Sequence, residues 1–291
     1  MRHSLLAVAA AASLAVVTGP ALAVPAFADV VAIVDESGSM AGEHAWLGGM
    51  VTSLNAGLIA NTPSVGPNNF GLVGFGSSGA HGALSGHTHL VGGAQFGTAA
   101  QFGAATAGLV ISGGTEDGWG GIAHANTYTY RAGAARNYIL VTDEDRDNTN
   151  AALTFAGTLA SMTATNTLLN AVVNVTFGCG ANTTTVLGID SSGKGYIADG
   201  AGGYTTAAGC TAVSGFGTSI ANYVNLALAT GGAAWDLNKL RLGGNTAISF
   251  TAAFVDIKIG EIINKVPEPM TLALVGAALL GLGAARRRKA A

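Results

Sequence analysis

Three short apolar runs rich in β-branched residues, at 30–34, 138–141 and 171–175 (the last holding Asn174), constrain this chain more than any other feature. A strand with one wet face alternates polar and apolar residues. A continuous run therefore suits a strand covered on both faces, as in a parallel sheet between helices. Residues 70–75 (Phe-Gly-Leu-Val-Gly-Phe) form a fourth run with glycine in place of bulk. Between the runs lie helical candidates. Over 43–60, Trp46, Leu47, Met50, Leu54 and Leu58 recur at spacings of mostly three and four, the pattern of a helix face laid on a sheet. Residues 117–130, 150–165 and 218–229 read similarly with more Gly and Thr, and 248–263 is a last helix unless its β-branched content makes it a strand. The alternation predicts an α/β fold over 29–265: doubly wound, with a mostly parallel central sheet flanked by helices.

From about 178 to 217 the pattern dissolves into Gly, Thr and Ser, as expected of an insertion of loops or hairpins. Cys179 and Cys210 bracket it. In an oxidising compartment they can close it as a disulfide; two unpaired buried thiols are the other reading. Two cysteines are too few for a Cys-based zinc ribbon.

Charge narrows the function classes. Charged residues make up 10% of the chain, against roughly 25% in an ordinary soluble domain. The apolar residues are scattered, with long runs only at the two ends, so a polytopic membrane protein is excluded. Between Asp29 and Lys265 there are 8 basic and 15 acidic residues. That balance argues against nucleic acid, whose phosphates attract clustered Lys and Arg.

The ends read as addresses. Residues 1–28 carry Arg2 and His3, an apolar run over 5–17 and small-x-small sites that allow cleavage after 23 or after 28, the layout of a secretory signal. At the other end Pro267-Glu268-Pro269 precedes an apolar segment over 270–285 and the basic cluster Arg286, Arg287, Arg288 and Lys289. The segment is long enough for a short membrane span, about 24 Å as a helix, with the basic residues on the cytoplasmic side. Residues 266–291 resemble a PEP-CTERM sorting signal. The resemblance implies recognition by an exosortase, transient anchoring in the inner membrane, and delivery to the cell envelope, the cell surface or beyond.

The chemistry falls at strand ends. The first run terminates in Asp35-Glu36-Ser37-Gly38-Ser39, a D-x-S-x-S sequence, and Asp143 follows the 138–142 run at the equivalent end. In open α/β sheets ligands bind at such carboxyl ends. Gly113-Gly114-Thr115 forms a loop ahead of a helix between them. Carboxylates and hydroxyls converging there suit a hard divalent cation, Mg²⁺ first, with Mn²⁺ or Ca²⁺ compatible, and do not suit zinc. The order of motifs resembles a von Willebrand factor type A domain with its metal-ion-dependent adhesion site. The resemblance implies that Ser37, Ser39 and Thr115 are direct ligands, that Asp35 and Asp143 support them, and that one position stays open for a partner's carboxylate.

Competing motifs are weaker. Asp143, Asp145 and Asp147 match the first ligand positions of a calcium loop, but Asn148 and Thr154 stand where Gly and Glu are needed, so a solvated acidic loop is expected. Gly74-x-Gly76-x-x-Gly79 lacks the following helix and acidic residue of a dinucleotide site and reads as a turn. His81, His87 and His89 cluster, but no carboxylate lies nearby in sequence to complete a transition-metal site, so exposed hairpin histidines are expected. No nucleophile elbow occurs, and no enzymatic activity is expected. The expectation is an exported, surface-sorted adhesion module that grips a protein or matrix partner through its metal. The alternative is a structural or assembly component of the surface or matrix, whose metal only stabilises the fold.

Overall fold

The computed structural model describes residues 27–61, 67–77, 80–81 and 86–264. The expected signal segment up to residue 26, and the expected membrane segment at 270–285, lie outside the described residues. Among the described residues no helix is long and apolar enough to cross a membrane.

The first half of the chain forms β1 (Ala28–Asp35), α1 (Ala41–Asn61), β2 (Asn69–Phe75), β3 (His87–His89), α2 (Ala99–Ala105), α3 (Gly118–Ala125), β4 (Ala135–Thr142), α4 (Phe155–Ala164) and β5 (Leu168–Val173). There follow β6 (Val175–Cys179), β7 (Val186–Asp190), β8 (Gly195–Ala198), β9 (Tyr204–Ala207) and β10 (Cys210–Gly215). The chain closes with α5 (Asn225–Ala229), β11 (Ala233–Asp236), α6 (Leu237–Arg241) and α7 (Gly244–Asn264).

One sheet takes the order β3-β2-β1-β4-β5-β11-β7-β8-β9. β2, β1, β4, β5 and β11 run parallel, while β3 at one edge and β7 to β9 at the other are antiparallel. Every residue of β1 is buried, as its unbroken apolar run requires. Its side chains alternate between two cores. Val30, Ala32 and Val34 pack with Leu47, Met50 and Leu54 of α1 and with Phe250 and Phe254 of α7. Val31 and Ile33 pack with Trp119 and Ile122 of α3, on the side that also holds Met162 of α4 and Leu226 of α5. The fold is doubly wound.

Local sequence explains the helix limits that periodicity misplaced. The helix expected at 150–165 starts at Phe155 because the Thr154 side chain caps it, accepting from the Gly157 N–H. The stretch at 218–229 is divided into a π-helical turn (Ile220–Val224) and α5. The segment at 248–263 is helical, α7, because packing of Phe250, Phe254, Ile259 and Ile262 outweighs the modest helix penalty of its β-branched residues.

Residues 178–217 form hairpins. β7, β8 and β9 extend the main sheet, and β6 pairs with β10 as a separate ribbon. Cys179 and Cys210 face each other in that ribbon and are joined by a disulfide. Trp235 of β11 is fully buried, stacks on Tyr196 of β8 with ring centroids 5.3 Å apart, and meets Phe254 edge-on at 5.4 Å. Such aromatic pairs contribute roughly 0.5–1.5 kcal/mol each beyond area burial, and here they tie the hairpins to α7.

β1 leads to β2 on one side while β4 lies on the other. This reversal of strand order opens a crevice at the carboxyl ends of β1 and β4, the place where open α/β sheets bind ligands.

Candidate metal centre

Asp35 is the last residue of β1, and Asp143 follows the last residue of β4. The Asp35 carboxylate is buried and held from two sides. Its Oδ1 accepts from the Ser37 N–H at 2.7 Å, and its Oδ2 accepts from the Thr142 hydroxyl at 2.8 Å. The Ser37 and Ser39 hydroxyls lie 3.2 Å apart, and Ser39 Oγ donates to Asp143 Oδ1 at 2.9 Å. Asp35, Ser37, Ser39 and Asp143 are thus joined in one hydrogen-bonded chain at the switch point. Thr115 stands on the loop before α3, half-buried. Its carbonyl oxygen lies 3.7 Å from where a Cβ would sit at Gly76, the same point that is 3.0 Å from Asp35 Oδ1. Its hydroxyl makes no hydrogen bond to the other four.

Two charged neighbours escaped the sequence reading. Glu116 is buried, with Oε2 lacking any partner among the described residues. Burial, then the charges of Asp35 and Glu144, push its carboxyl up to about 8. Burial likewise pushes Asp35 up to about 7, with Asp143 adding to the rise. Arg241, from the end of α6, donates to Asp143 Oδ2 at 2.9 Å, to Glu43 Oε1 at 2.6 Å and to the Ser39 carbonyl at 3.2 Å. It is the positive charge that balances the open side of the cluster. An all-oxygen donor set, crowded carboxylates and an orphaned buried carboxylate oxygen fit a hard divalent cation.

The acidic loop after β4 is neither a calcium loop nor simply solvated. Its carboxylates diverge. Asp143 faces Ser39 and Arg241, Asp145 accepts from the Thr218 N–H at 2.8 Å, and Asp147 accepts from the Glu116 N–H at 2.6 Å. Arg146 between them pairs with Asp117 at 2.7 Å and lies over the Trp119 ring. The loop is a clamp that fixes the segment carrying Thr115 and Glu116.

The histidine cluster also departs from expectation. A carboxylate does complete it: Glu36, the middle residue between Asp35 and Ser37. Its Oε2 lies 2.8 Å from His87 Nε2, its Oε1 lies 3.1 Å from His89 Nε2, and His81 Nδ1 lies 3.4 Å away. Burial alone raises the Glu36 carboxyl. Contacts with His87 and His89 and the Val110 N–H outweigh it and hold the group well below the usual carboxylate range. The partner was hidden because 51 residues of sequence separate Glu36 from His87, and only the β3-β2-β1 order brings them together.

The sorting motif lies beyond these residues. Residues 265–289 match the PEP-CTERM protein-sorting motif. The chain carries a cell-surface sorting signal. No curated protein matches the sequence.

Among solved structures, one similar fold is proximal thread matrix protein 1 from the mussel byssus, 15% identical over 50% of this chain and 35% of that one, with a TM-score of 0.37. A von Willebrand factor type A structure from Catenulispora acidiphila is 22% identical over 51% of this chain and 33% of that one, with a TM-score of 0.35. An aerotolerance-related membrane protein from Bacteroides fragilis is 14% identical over 82% of this chain and 99% of that one, with a TM-score of 0.41. The match spans about a third of the first two proteins. These scores are low, and the fold rests on the strand order described above.

Proposed function

We propose that this protein is an exported adhesion module that engages a protein or matrix partner through a divalent cation held by Asp35, Ser37, Ser39, Thr115 and Asp143. The observation that carries the reading is the hydrogen-bonded chain from Asp35 through Ser37 and Ser39 to Asp143 at the switch point, beside the orphaned oxygen of Glu116. The sorting motif supports a place of action outside the cytoplasm.

In this reading the serine and threonine hydroxyls offer neutral oxygen ligands, and Asp35 and Asp143 supply charge from behind them. Neutral direct ligands leave the cation strongly electrophilic, so it draws a carboxylate from a partner into its open position. Mg²⁺ is the first choice, because it keeps several non-protein ligands and needs few from the protein. With the cation bound, this chain's residues orient it and accept the partner, and no turnover is assigned to the site. Removal to the surface runs through exosortase and a transient membrane stage of the C-terminal segment.

The test is retention of acidic peptides, each ending in Asp or Glu, on the immobilised protein with Mg²⁺ and with chelator. Binding that requires Mg²⁺ and is lost in Ser39→Ala, with the fold intact by circular dichroism, is the expected result. Equal retention by Ser39→Ala, or retention in chelator, overturns the reading. A large metal-dependent rise in melting temperature without any retained peptide would favour the structural alternative.

A further inference from the structure

Beside the oxygen-lined crevice, at the β3 edge of the sheet, lies a group of different chemistry. His87 and His89 are two residues apart on β3 and so point to the same face. Glu36 leaves the end of β1 and reaches across β2 to meet them. Gly74 of β2 is what makes the crossing possible. It pairs with His87 on one side and with Val34 on the other. A Cβ there would overlap the Glu36 carboxylate and come within 2.8 Å of His87 Nε2. Glycine within a buried strand normally weakens it; here, one residue from the end of β2, it leaves the space into which these side chains converge.

We propose that Glu36, His81, His87 and His89 form a zinc site, distinct from the adhesion cation site. The four donor atoms lie within 4.8 Å of one another. Around a tetrahedral zinc, with bonds of ~2.0–2.1 Å, neighbouring ligand atoms stand roughly 3.3 Å apart. The contacts here are 3.2 Å between His87 Nε2 and His89 Nε2, 2.8 Å from Glu36 Oε2 to His87, and 3.1 and 3.4 Å from Glu36 Oε1 to His89 and His81, so both carboxylate oxygens face the histidines and either can serve as the single oxygen ligand. His87 Nε2 and His89 Nε2 lie 3.2 Å apart and each also faces a Glu36 oxygen, which can only accept. Two nitrogens that both carry a proton for Glu36 cannot hydrogen-bond each other, and a cation on which both lone pairs converge removes that conflict.

Imidazole nitrogens with one carboxylate suit zinc and do not suit Mg²⁺, which takes oxygen ligands. The carboxylate is fixed before any metal arrives. Glu36 Oε1 accepts from the Val110 N–H at 2.9 Å, its own N–H donates to the Phe75 carbonyl at 2.8 Å, and its carbonyl accepts from the Ser112 N–H at 2.8 Å. His87 Nδ1 is buried with no partner among the described residues; with Nε2 on the metal, Nδ1 is the nitrogen that carries the ring's proton. Four protein ligands close the coordination sphere, which makes the site structural. Its effect is to tie His81 and β3 to the strand end that carries the D-x-S-x-S sequence.

The experiment is zinc loading of the purified full chain, dialysis against a weak chelator, and metal analysis. A parallel Co²⁺ titration is followed by visible absorption. One zinc per chain and a tetrahedral Co²⁺ spectrum without thiolate charge-transfer bands are expected. His87→Ala, His89→Ala and Gly74→Ala should each lower zinc affinity by at least the ~10–100-fold that loss of an outer-shell partner causes. Ser39→Ala should keep it. Wild-type protein that retains no zinc, or that shows no tetrahedral Co²⁺ bands, overturns the proposal without any variant. Zinc retained by the histidine variants, or lost in Ser39→Ala, overturns it as well.

Discussion

Single residues set the charge balance of the crevice. Arg241 shares its guanidinium between Glu43 and Asp143, so it competes with a cation for Asp143 while satisfying a buried glutamate. Arg241→Gln is therefore expected to tighten Mg²⁺ binding several-fold in calorimetry while lowering the melting temperature. Weaker binding would mean that Arg241 positions Asp143 rather than competing for it. A second buried charge lies far from the crevice. Lys258 is fully buried, and burial lowers its affinity for a proton; Glu261, at 3.3 Å, opposes that effect. Glu261 also accepts from Asn170, whose own oxygen accepts from the Trp235 indole N–H. Glu261→Ala should cost about 3–5 kcal/mol in a urea titration, because it strands a buried ammonium. Lys258→Met should cost far less. The D-x-S-x-S residues were legible because they are contiguous and end a buried run. Arg241, Glu116 and the role of Glu36 were not, since each acts through a neighbour that only the tertiary fold supplies.

At the scale of elements, the strands were the most readable part of the chain. Burial on both faces leaves an unbroken apolar run, and the 30–34, 70–75 and 138–141 runs are the cores of β1, β2 and β4. The short elements β3, β11, α2 and α6 gave no such signal, having too few residues for a period. The hairpins of 178–217 were legible only as a break in pattern. Their staple is testable: replacing Cys179 and Cys210 by Ser should lower stability by about 3–4 kcal/mol, from the closure entropy of a loop of this size, read from the shift in urea midpoint. The start of β1 bears on which of the two expected cleavage sites, after 23 or after 28, a secretory signal at this end would use. Ala28 is fully buried and donates its N–H to Asn68 at 3.0 Å, and the Phe27 ring lies under Arg131 at 4.2 Å. Cleavage after residue 23 keeps both residues, whereas cleavage after 28 removes them. N-terminal sequencing of the exported protein should begin at Val24; a start at Asp29 would contradict this.

On the scale of the whole molecule, a surface-sorting signal is joined to an α/β domain whose strand ends gather acidic side chains. With 15 acidic and 8 basic residues between Asp29 and Lys265, the domain repels an acidic partner, and in the proposed reading a bound cation offsets that repulsion. The most direct test is isothermal titration of Mg²⁺, with Mn²⁺ and Ca²⁺ alongside, into the purified protein and into Asp35→Ala. One binding event is expected in the wild type, absent from Asp35→Ala and unaffected by His87→Ala. Binding that survives Asp35→Ala, or is abolished by His87→Ala, would contradict the proposed reading.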